Sequence, residues 1–199
     1  MLGASQRSRF DLVVIGASAG GVSALQSLLS AFPATLDLPV LVVLHLPRDR
    51  PSRIADLLDA GCPLPVREAE DKQPLQPGTV TFAPPDYHLL VEDRATLALS
   101  IDPPVLFSRP AIDPLFESAA DVFGDGVLAI LLTGASSDGS DGVAAVRQAG
   151  GEAWIQCPEE AYSSMMPASA LAHAGADAVL PLTSICTRMK GLTFPSARV

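Results

Sequence analysis

The fold of this 199-residue chain is constrained most by the way short, mainly apolar runs alternate with segments of helical periodicity. The first run, residues 11–15, is rich in β-branched side chains and ends at a glycine, as a strand buried on both faces does. The next segment repeats apolar side chains at helical spacing and stops at Pro33. Strands that alternate with helices predict a doubly wound α/β domain with right-handed crossovers and helices on both faces of a mainly parallel sheet.

The alternation continues along most of the chain. Further strands are predicted at residues 39–44, 127–132, 152–156 and 178–180, and further helices at 50–60, 112–123, 143–149 and 164–174, with a weak one after 180. Between 79 and 101 the pattern changes to three short strand-like runs, at 79–83, 87–92 and 96–101. Their turns predict an antiparallel hairpin or meander on the flank of the sheet. We expect one domain over residues 11–190, with tails at 1–10 and 191–199.

Composition excludes several classes of function. The formal net charge is −9 and Lys and Arg do not cluster, so we expect no nucleic-acid partner. The first ten residues lack an apolar signal-peptide core and no apolar run is long enough to span a bilayer, which predicts a cytoplasmic protein without membrane insertion. The three cysteines form no Cys-x-x-Cys pair, so neither a disulfide nor a metal site is predicted, and we expect no cofactor.

Three reactive side chains follow predicted strands. Ser18 follows the first strand, His45 the second, and Asp138 lies in the loop after residues 127–132. Ligands of open parallel sheets bind beyond the carboxyl ends of the strands. A serine, a histidine and an aspartate on that rim are the set needed for nucleophilic acyl transfer.

Each residue type has a distinct chemical task in such a set. A serine hydroxyl needs a base, and an imidazole titrates near ~6.5, so His45 is the predicted base and Asp138 its orienting partner. Gly16-x-Ser18-x-Gly20 is typical of the sharp strand-to-helix turn that exposes a nucleophile. The backbone amides of Ala19 and Ala135 are the predicted oxyanion donors.

Each of these features also has an ordinary structural explanation. A lone Gly-x-Ser-x-Gly is a weak signal, a histidine at a strand end is often only hydrogen-bonded to its surroundings, and an Asp before Gly139 fits a turn or helix cap. The joint position of the three residues on one rim is what favours catalysis.

Six ordered motifs resemble one known family. They are Ile15-Gly-Ala-Ser-Ala-Gly-Gly21, His45-Leu-Pro47, Ala83-Pro-Pro-Asp-Tyr-His88, Ser108-Arg-Pro-Ala-Ile-Asp-Pro-Leu-Phe116, Leu131-Leu-Thr-Gly-Ala-Ser-Ser-Asp-Gly139 and Met166-Pro-Ala168. Together they resemble the catalytic domain of the chemotaxis protein-glutamate methylesterase, CheB, over about residues 11–185. The resemblance implies hydrolysis of glutamate γ-methyl esters on the cytoplasmic helices of methyl-accepting chemoreceptors, with release of methanol, and deamidation of receptor glutamines. It places the family's catalytic residues on Ser18, His45 and Asp138.

Other positions in these motifs have less certain roles by this comparison. Arg109 and Met166 are placed at the substrate cleft, with an exposed arginine and a packing methionine as the alternatives. His88 is expected to be a structural histidine. The family usually has Gly-Met-Gly-x-Asp-Gly where this chain has Gly-Ala-Ser-Ser-Asp-Gly, so the loop that presents Asp138 differs. About ten residues precede the first strand, too few for the family's receiver domain, which predicts a stand-alone esterase or a shortened chain.

Three further hypotheses remain open from the sequence. The same triad could act on another protein or on a small ester. Gly16-x-Ser18-x-x-Gly21 is one substitution from a dinucleotide-binding fingerprint, although His45 stands where an acidic residue would be expected. A non-catalytic relative that only binds receptors is the fourth possibility, and the separation of the three side chains distinguishes it from an enzyme.

Overall fold

Seven parallel strands form the centre of the protein. The computed structural model describes residues 9–47 and 52–192. The strands of the main sheet are β1 (Leu12–Ala17), β2 (Val40–Leu44), β3 (Val66–Glu68), β4 (Val80–Phe82), β7 (Val127–Leu131), β8 (Glu152–Gln156) and β9 (Ala178–Leu180), in the order β3-β4-β2-β1-β7-β8-β9. A separate antiparallel pair consists of β5 (His88–Val91) and β6 (Leu97–Ser100).

Helices cover both faces of the sheet. They are α1 (Gly21–Leu29), α2 (Ile54–Asp59), α3 (Ile112–Phe123), α4 (Ser140–Gln148), α5 (Met165–Ala174) and α6 (Leu182–Gly191), with a 3-10 turn at Gly124–Gly126. The doubly wound, mainly parallel fold predicted from the sequence is therefore confirmed.

The apolar strand runs are explained by two hydrophobic cores. Alternate side chains of β1 point to opposite faces, so Val13 and Ile15 pack with α1, while Leu12 and Val14 pack with α3. All six residues of β1 are buried. Because neither face of this strand meets solvent, a polar side chain in it would be buried, and its sequence contains none.

The segment from 79 to 101 is only partly as predicted. The antiparallel pair of β5 and β6 confirms the flanking hairpin. The run at 79–83 is instead a parallel strand of the main sheet, since β4 pairs with β2 and β3. β3 is not predicted at all, because its three residues include Arg67 and Glu68 and lack the apolar pattern. The helix predicted at 50–60 is observed as α2, and residues 50 and 51 lie outside the described part of the chain.

The order of the strands sets the position of the site. β1 lies between β2 and β7, because the chain first builds the sheet on one side of β1, with β2, β4 and β3, and later on the other side, with β7, β8 and β9. Such a switch point leaves a crevice at the carboxyl ends of the strands. Ser18, His45 and the loop that carries Asp138 all follow these three strands. Within the described residues, no helix combines the length and apolar character needed to cross a bilayer.

Truncation of a side chain on the buried face of α1 should lower the stability of the protein more than truncation on the exposed face. Leu28 is fully buried, whereas Val22 is 39% exposed. Leu28→Ala should lower the free energy of unfolding by about 2–5 kcal/mol, because it leaves a cavity beneath the sheet. Val22→Ala on the same helix should change it by about 0.5 kcal/mol or less. Urea unfolding followed by circular dichroism measures both, and equal losses would contradict the assignment of the buried face.

Candidate active site

Ser18 stands at the point where β1 turns into α1. Its amide donates to the Thr133 carbonyl at 2.9 Å, and its own carbonyl accepts from the amide of Gly21 at 2.7 Å. The neighbouring residue Ala17 accepts from the amide of His45 at 3.1 Å. The backbone on each side of the serine is thus tied to both adjacent strands, which fixes its position at the rim.

The turn after Ser18 requires glycine at position 20. Gly20 has φ of 77°, a left-handed conformation that side chains disfavour. A Cβ there would lie 2.5 Å from Tyr162. Gly20 therefore has two roles: it allows the left-handed turn, and it leaves room for Tyr162 to pack against that turn.

His45 and Asp138 form the strongest polar contact of the site. Nε2 of His45 lies 2.7 Å from Oδ2 of Asp138, which is completely buried. Parallel pairing sets Ala17 opposite Leu44, so the next residues, Ser18 and His45, leave their strands side by side. The structure therefore brings the predicted base and its orienting carboxylate into contact.

The N-terminus of α3 stabilises the charge on Asp138. The amide of Ile112 donates to Oδ2 at 2.7 Å and that of Asp113 to Oδ1 at 3.1 Å. Burial opposes ionisation of Asp138, but the His45 hydrogen bond and these two amides outweigh it and lower its pKa below the ordinary value. Because the ionised carboxylate only accepts hydrogen bonds, Nε2 of His45 carries the proton that faces it, and Nδ1 is left as the basic nitrogen.

The altered loop before Asp138 has its own internal support. The hydroxyl of Ser136 accepts a hydrogen bond from the amide of Asp138 at 3.0 Å. A short serine bond of this kind is typical of turns. The serine that replaces the family's glycine therefore contributes to the loop conformation.

Thr133 connects the loops around the serine. Its hydroxyl donates to the Ala19 carbonyl at 2.8 Å and accepts from the Ser163 amide at 2.9 Å, while its amide donates to the side chain of Gln156. Sequence reasoning missed this residue, since a threonine after an apolar strand carries no distinctive signal.

Two backbone amides predicted to act on the substrate have no acceptor. In the described part of the chain, the amides of Ala19 and Ala135 donate no hydrogen bond, whereas the amide of Gly134 donates to the Ser163 carbonyl at 3.1 Å. Ala19 directly precedes the first turn of α1, where amides are free to bind an anion. The predicted oxyanion role of Ala19 and Ala135 has free donors available, and it stays a prediction.

The third contact of the predicted trio is not formed. The hydroxyl of Ser18 makes no hydrogen bond to any described residue, and Nδ1 of His45 instead lies 3.4 Å from the hydroxyl of Ser108. Ligand-free sites often have a loose nucleophile–base contact. The observed arrangement is a bonded His45–Asp138 pair next to Ser18, with a second serine at the basic nitrogen.

Ser108 is held in that position by a tight turn. Val105 and Ser108 exchange backbone hydrogen bonds of 3.1 and 2.8 Å. The two residues between them, Leu106 and Phe107, have φ of 46° and 67°. Positive φ in bulky residues stores strain of roughly 1–3 kcal/mol each, and Phe107 is 94% exposed.

Arg109 and Met166 occupy structural positions. The guanidinium of Arg109 is bound to Asp86 at 2.7 Å and to the carbonyls of Ile101 and Asp102, so it holds a loop together, and its contact with substrate stays a prediction. Met166 does not line the cleft as predicted. Its side chain is completely buried and lies directly against Gly134. A Cβ at position 134 would lie 2.5 Å from the Met166 side chain, so this packing requires a glycine there.

His88 has the structural role expected of it. Its Nε2 lies 3.2 Å from the carbonyl of Pro103, and its Nδ1 accepts from the amide of Ala111 at 3.2 Å. Ala111 directly precedes α3, whose first amides bind Asp138. The buried histidine therefore supports the helix end on which that carboxylate depends.

Asp113 is a second buried carboxyl beside Asp138. Its Oδ1 accepts from the amide of Gly142 at 2.7 Å. Burial and the proximity of Asp138 outweigh that hydrogen bond and raise the pKa of Asp113 to about 7. The pKa values of the two neighbouring carboxyls are therefore shifted in opposite directions, so Asp113 binds a proton at a pH where Asp138 is still ionised.

Comparison with known proteins defines the family. The sequence model of the CheB methylesterase family matches residues 13–189. The chain belongs to the CheB methylesterase family. The crystal structure of the CheB methylesterase catalytic domain from Thermotoga maritima superimposes with a TM-score of 0.87 at 32% identity, over 92% of this chain and 99% of that one.

Relatives in this family differ in length. A protein of Leptospira interrogans, provisionally named protein-glutamate methylesterase/protein-glutamine glutaminase, is 39% identical over 88% of this chain and 91% of its own. The protein of that name numbered 1 from Anaeromyxobacter dehalogenans is 41% identical over 92% of this chain. The match covers 53% of that relative, so the chain spans about half the length of this relative.

No metal-binding group is found at the site. Across residues 9–47 and 52–192, no cluster of three or more His, Cys, Asp or Glu side chains is placed to hold a metal ion. The carboxylates that are present here are bonded to backbone amides and to His45.

The raised pKa of Asp113 predicts a pH-dependent stability. Between its ordinary value of 3.8 and about 7 the folded protein holds a proton that the unfolded chain has lost, so stability is present below this window and falls as pH rises through it. The side chain in Asp113→Asn is neutral at every pH. The free energy of unfolding of this variant should therefore exceed that of the wild type by about 1–3 kcal/mol at pH 8 and should differ little from it at pH 4.

Urea unfolding of both proteins at several pH values measures this difference. Asp121→Asn changes an exposed carboxyl of the same helix and should leave the pH dependence as in the wild type. Parallel stability curves for the wild type and Asp113→Asn would contradict the assignment.

Proposed function

We propose that this protein is a protein-glutamate methylesterase of chemosensory type in which Ser18 is the nucleophile, His45 the base and Asp138 the orienting carboxylate. The proposal is supported most by the bonded pair of His45 and the buried Asp138 at the end of the strand next to Ser18. The names of the relatives in this family support the choice of substrate.

The first half of the reaction follows from the charges of the site. Nδ1 of His45 takes the proton of Ser18 as its oxygen bonds to the ester carbonyl carbon. Asp138 stabilises the imidazolium that forms, and the amides of Ala19 and Ala135 bind the oxyanion. His45 then gives its proton to the leaving methoxy group, methanol departs, and the glutamyl group remains as an ester of Ser18.

The second half restores the enzyme. Water gives a proton to Nδ1 of His45 and adds to the acyl carbon, and the returning proton releases Ser18 and a free glutamate carboxylate. With a glutamine substrate the same steps expel ammonia, which accounts for the glutaminase part of the relatives' names. A stable Nε2–H bond to Asp138 keeps Nδ1 available in both halves.

The surface beside Ser18 suits a side chain presented by another protein. An open groove of about 530 Å³ lies next to Ser18 and is lined by Tyr162, Thr133, Glu160 and Leu182 among others. It is open to solvent, so a side chain presented by another protein can enter it. The proposed partner is accordingly a cytoplasmic helix of a methyl-accepting chemoreceptor.

A second candidate function keeps the chemistry and changes the ester. The Asp138 loop differs from the family pattern at two positions and is held by Ser136, so the substrate could be another protein or a small ester. Turnover of small esters without methanol release from any methylated receptor would favour this alternative. The dinucleotide hypothesis has less support, because His45 is bonded to Asp138 at the position expected to hold a ribose.

Replacement of the nucleophile gives the direct test. Ser18→Ala should lower kcat for methanol release from methylated chemoreceptors by about 10⁴-fold or more, because no other group replaces the covalent step. Gas chromatography of released methanol measures the rate.

A matched serine variant controls for general effects. Ser30 directly follows α1 as its C-cap, about 14 Å along the helix axis from the first residue, and its hydroxyl donates to the carbonyl of Ser27. Ser30→Ala should keep wild-type turnover. Undiminished methanol release by Ser18→Ala would rule out the proposed mechanism.

A further inference from the structure

We propose that Ser108 is a positioning residue whose hydroxyl donates a hydrogen bond to Nδ1 of His45 in the ligand-free enzyme. His45 can then accept the proton of Ser18 only after this bond is broken. The proposal rests on the proposed function, since it assumes that Ser18 is the nucleophile. It adds a residue that controls how reactive that nucleophile is.

The hydrogen bonds of His45 leave one acceptor for two serines. Because Asp138 holds Nε2–H, Nδ1 has a single lone pair for a hydroxyl donor. The hydroxyl of Ser108 lies 3.4 Å from this nitrogen, and the hydroxyl of Ser18 makes no hydrogen bond to any described residue. A proton on Ser108 that points at Nδ1 excludes the proton transfer from Ser18.

The bond is weak enough to be exchanged during catalysis. A separation of 3.4 Å is at the long end for an O–H···N bond, and one neutral hydrogen bond changes an equilibrium by a factor of about 2 to 10. Ser108 therefore moderates the reactivity of Ser18 without abolishing it.

The turn that carries Ser108 lies on the surface. Leu106 and Phe107 at its tip are exposed and strained, and Ser108 itself is half-buried. The turn can shift without disturbing the core, in contrast to His45 and Ser18, which are tied to the central strands.

The test compares Ser108→Ala with Ser108→Thr, which keeps the hydroxyl. Nitrogen-15 NMR of the imidazoles reads the hydrogen bond directly, since the chain has only three histidines. The Nδ1 resonance of His45 should move in Ser108→Ala and stay near its wild-type position in Ser108→Thr. Unchanged signals of His88 and His173 show that the fold is retained, and Ser108→Gly serves if the alanine variant does not fold.

Reactivity is measured with a fluorophosphonate probe that attaches to activated serines. Ser108→Ala should label at Ser18 about 2- to 10-fold faster than the wild type, and Ser108→Thr should restore the wild-type rate. An unmoved Nδ1 resonance or slower labelling of Ser108→Ala would overturn the proposal. So would attachment of the probe to Ser108 in Ser18→Ala, seen by mass spectrometry, because Ser108 would then be a nucleophile itself.

Failure of the proposed function has a different signature. It would appear as methanol release that survives Ser18→Ala. The NMR comparison needs no turnover and reports the Ser108–His45 bond in either case.

Discussion

The buried carboxylate of Asp138 is the interaction on which the rest of the site depends. It accepts hydrogen bonds from His45 and from two amides at the start of α3, and each has a separate consequence. The amides allow a charge to persist in an apolar interior. The imidazole bond determines which nitrogen is basic. Burial and, after it, the same charge raise the pKa of Asp113, so the two neighbouring carboxyls are held in different protonation states.

Much of this arrangement could be predicted from the sequence because parallel sheets impose a strong rule. Their carboxyl ends meet on one edge, so a reactive residue directly after an apolar run has a known location. Ser18 and His45 satisfy this rule almost without loops, one residue beyond paired strand ends. Asp138 lies seven residues after β7 ends, so the same rule predicts its edge of the sheet but not the path of the loop that brings it to His45.

The remaining contacts could not be predicted, since they depend on loop conformations. Ser108 is 63 residues from His45 in the chain, and nothing in its turn sequence indicates positive φ at Leu106 and Phe107. Thr133 acts through hydrogen bonds to three separate segments. β4 was misassigned to the antiparallel flank because a three-residue apolar strand does not reveal its partner. The motif predicts Met166 at the cleft, whereas its side chain is buried against Gly134, where no Cβ stands in its way.

The backbones of the two serines near His45 are held by different structures, so the site has one rigid part and one part that can move. Ser18 is joined to the ladder of the central sheet, so its displacement would require breaking bonds in the most protected part of the domain. Ser108 is held by a two-residue turn at the surface. The surface turn can therefore move while the sheet stays fixed, so a contact made at residues 105–108 can change the surroundings of His45 without any rearrangement of the core.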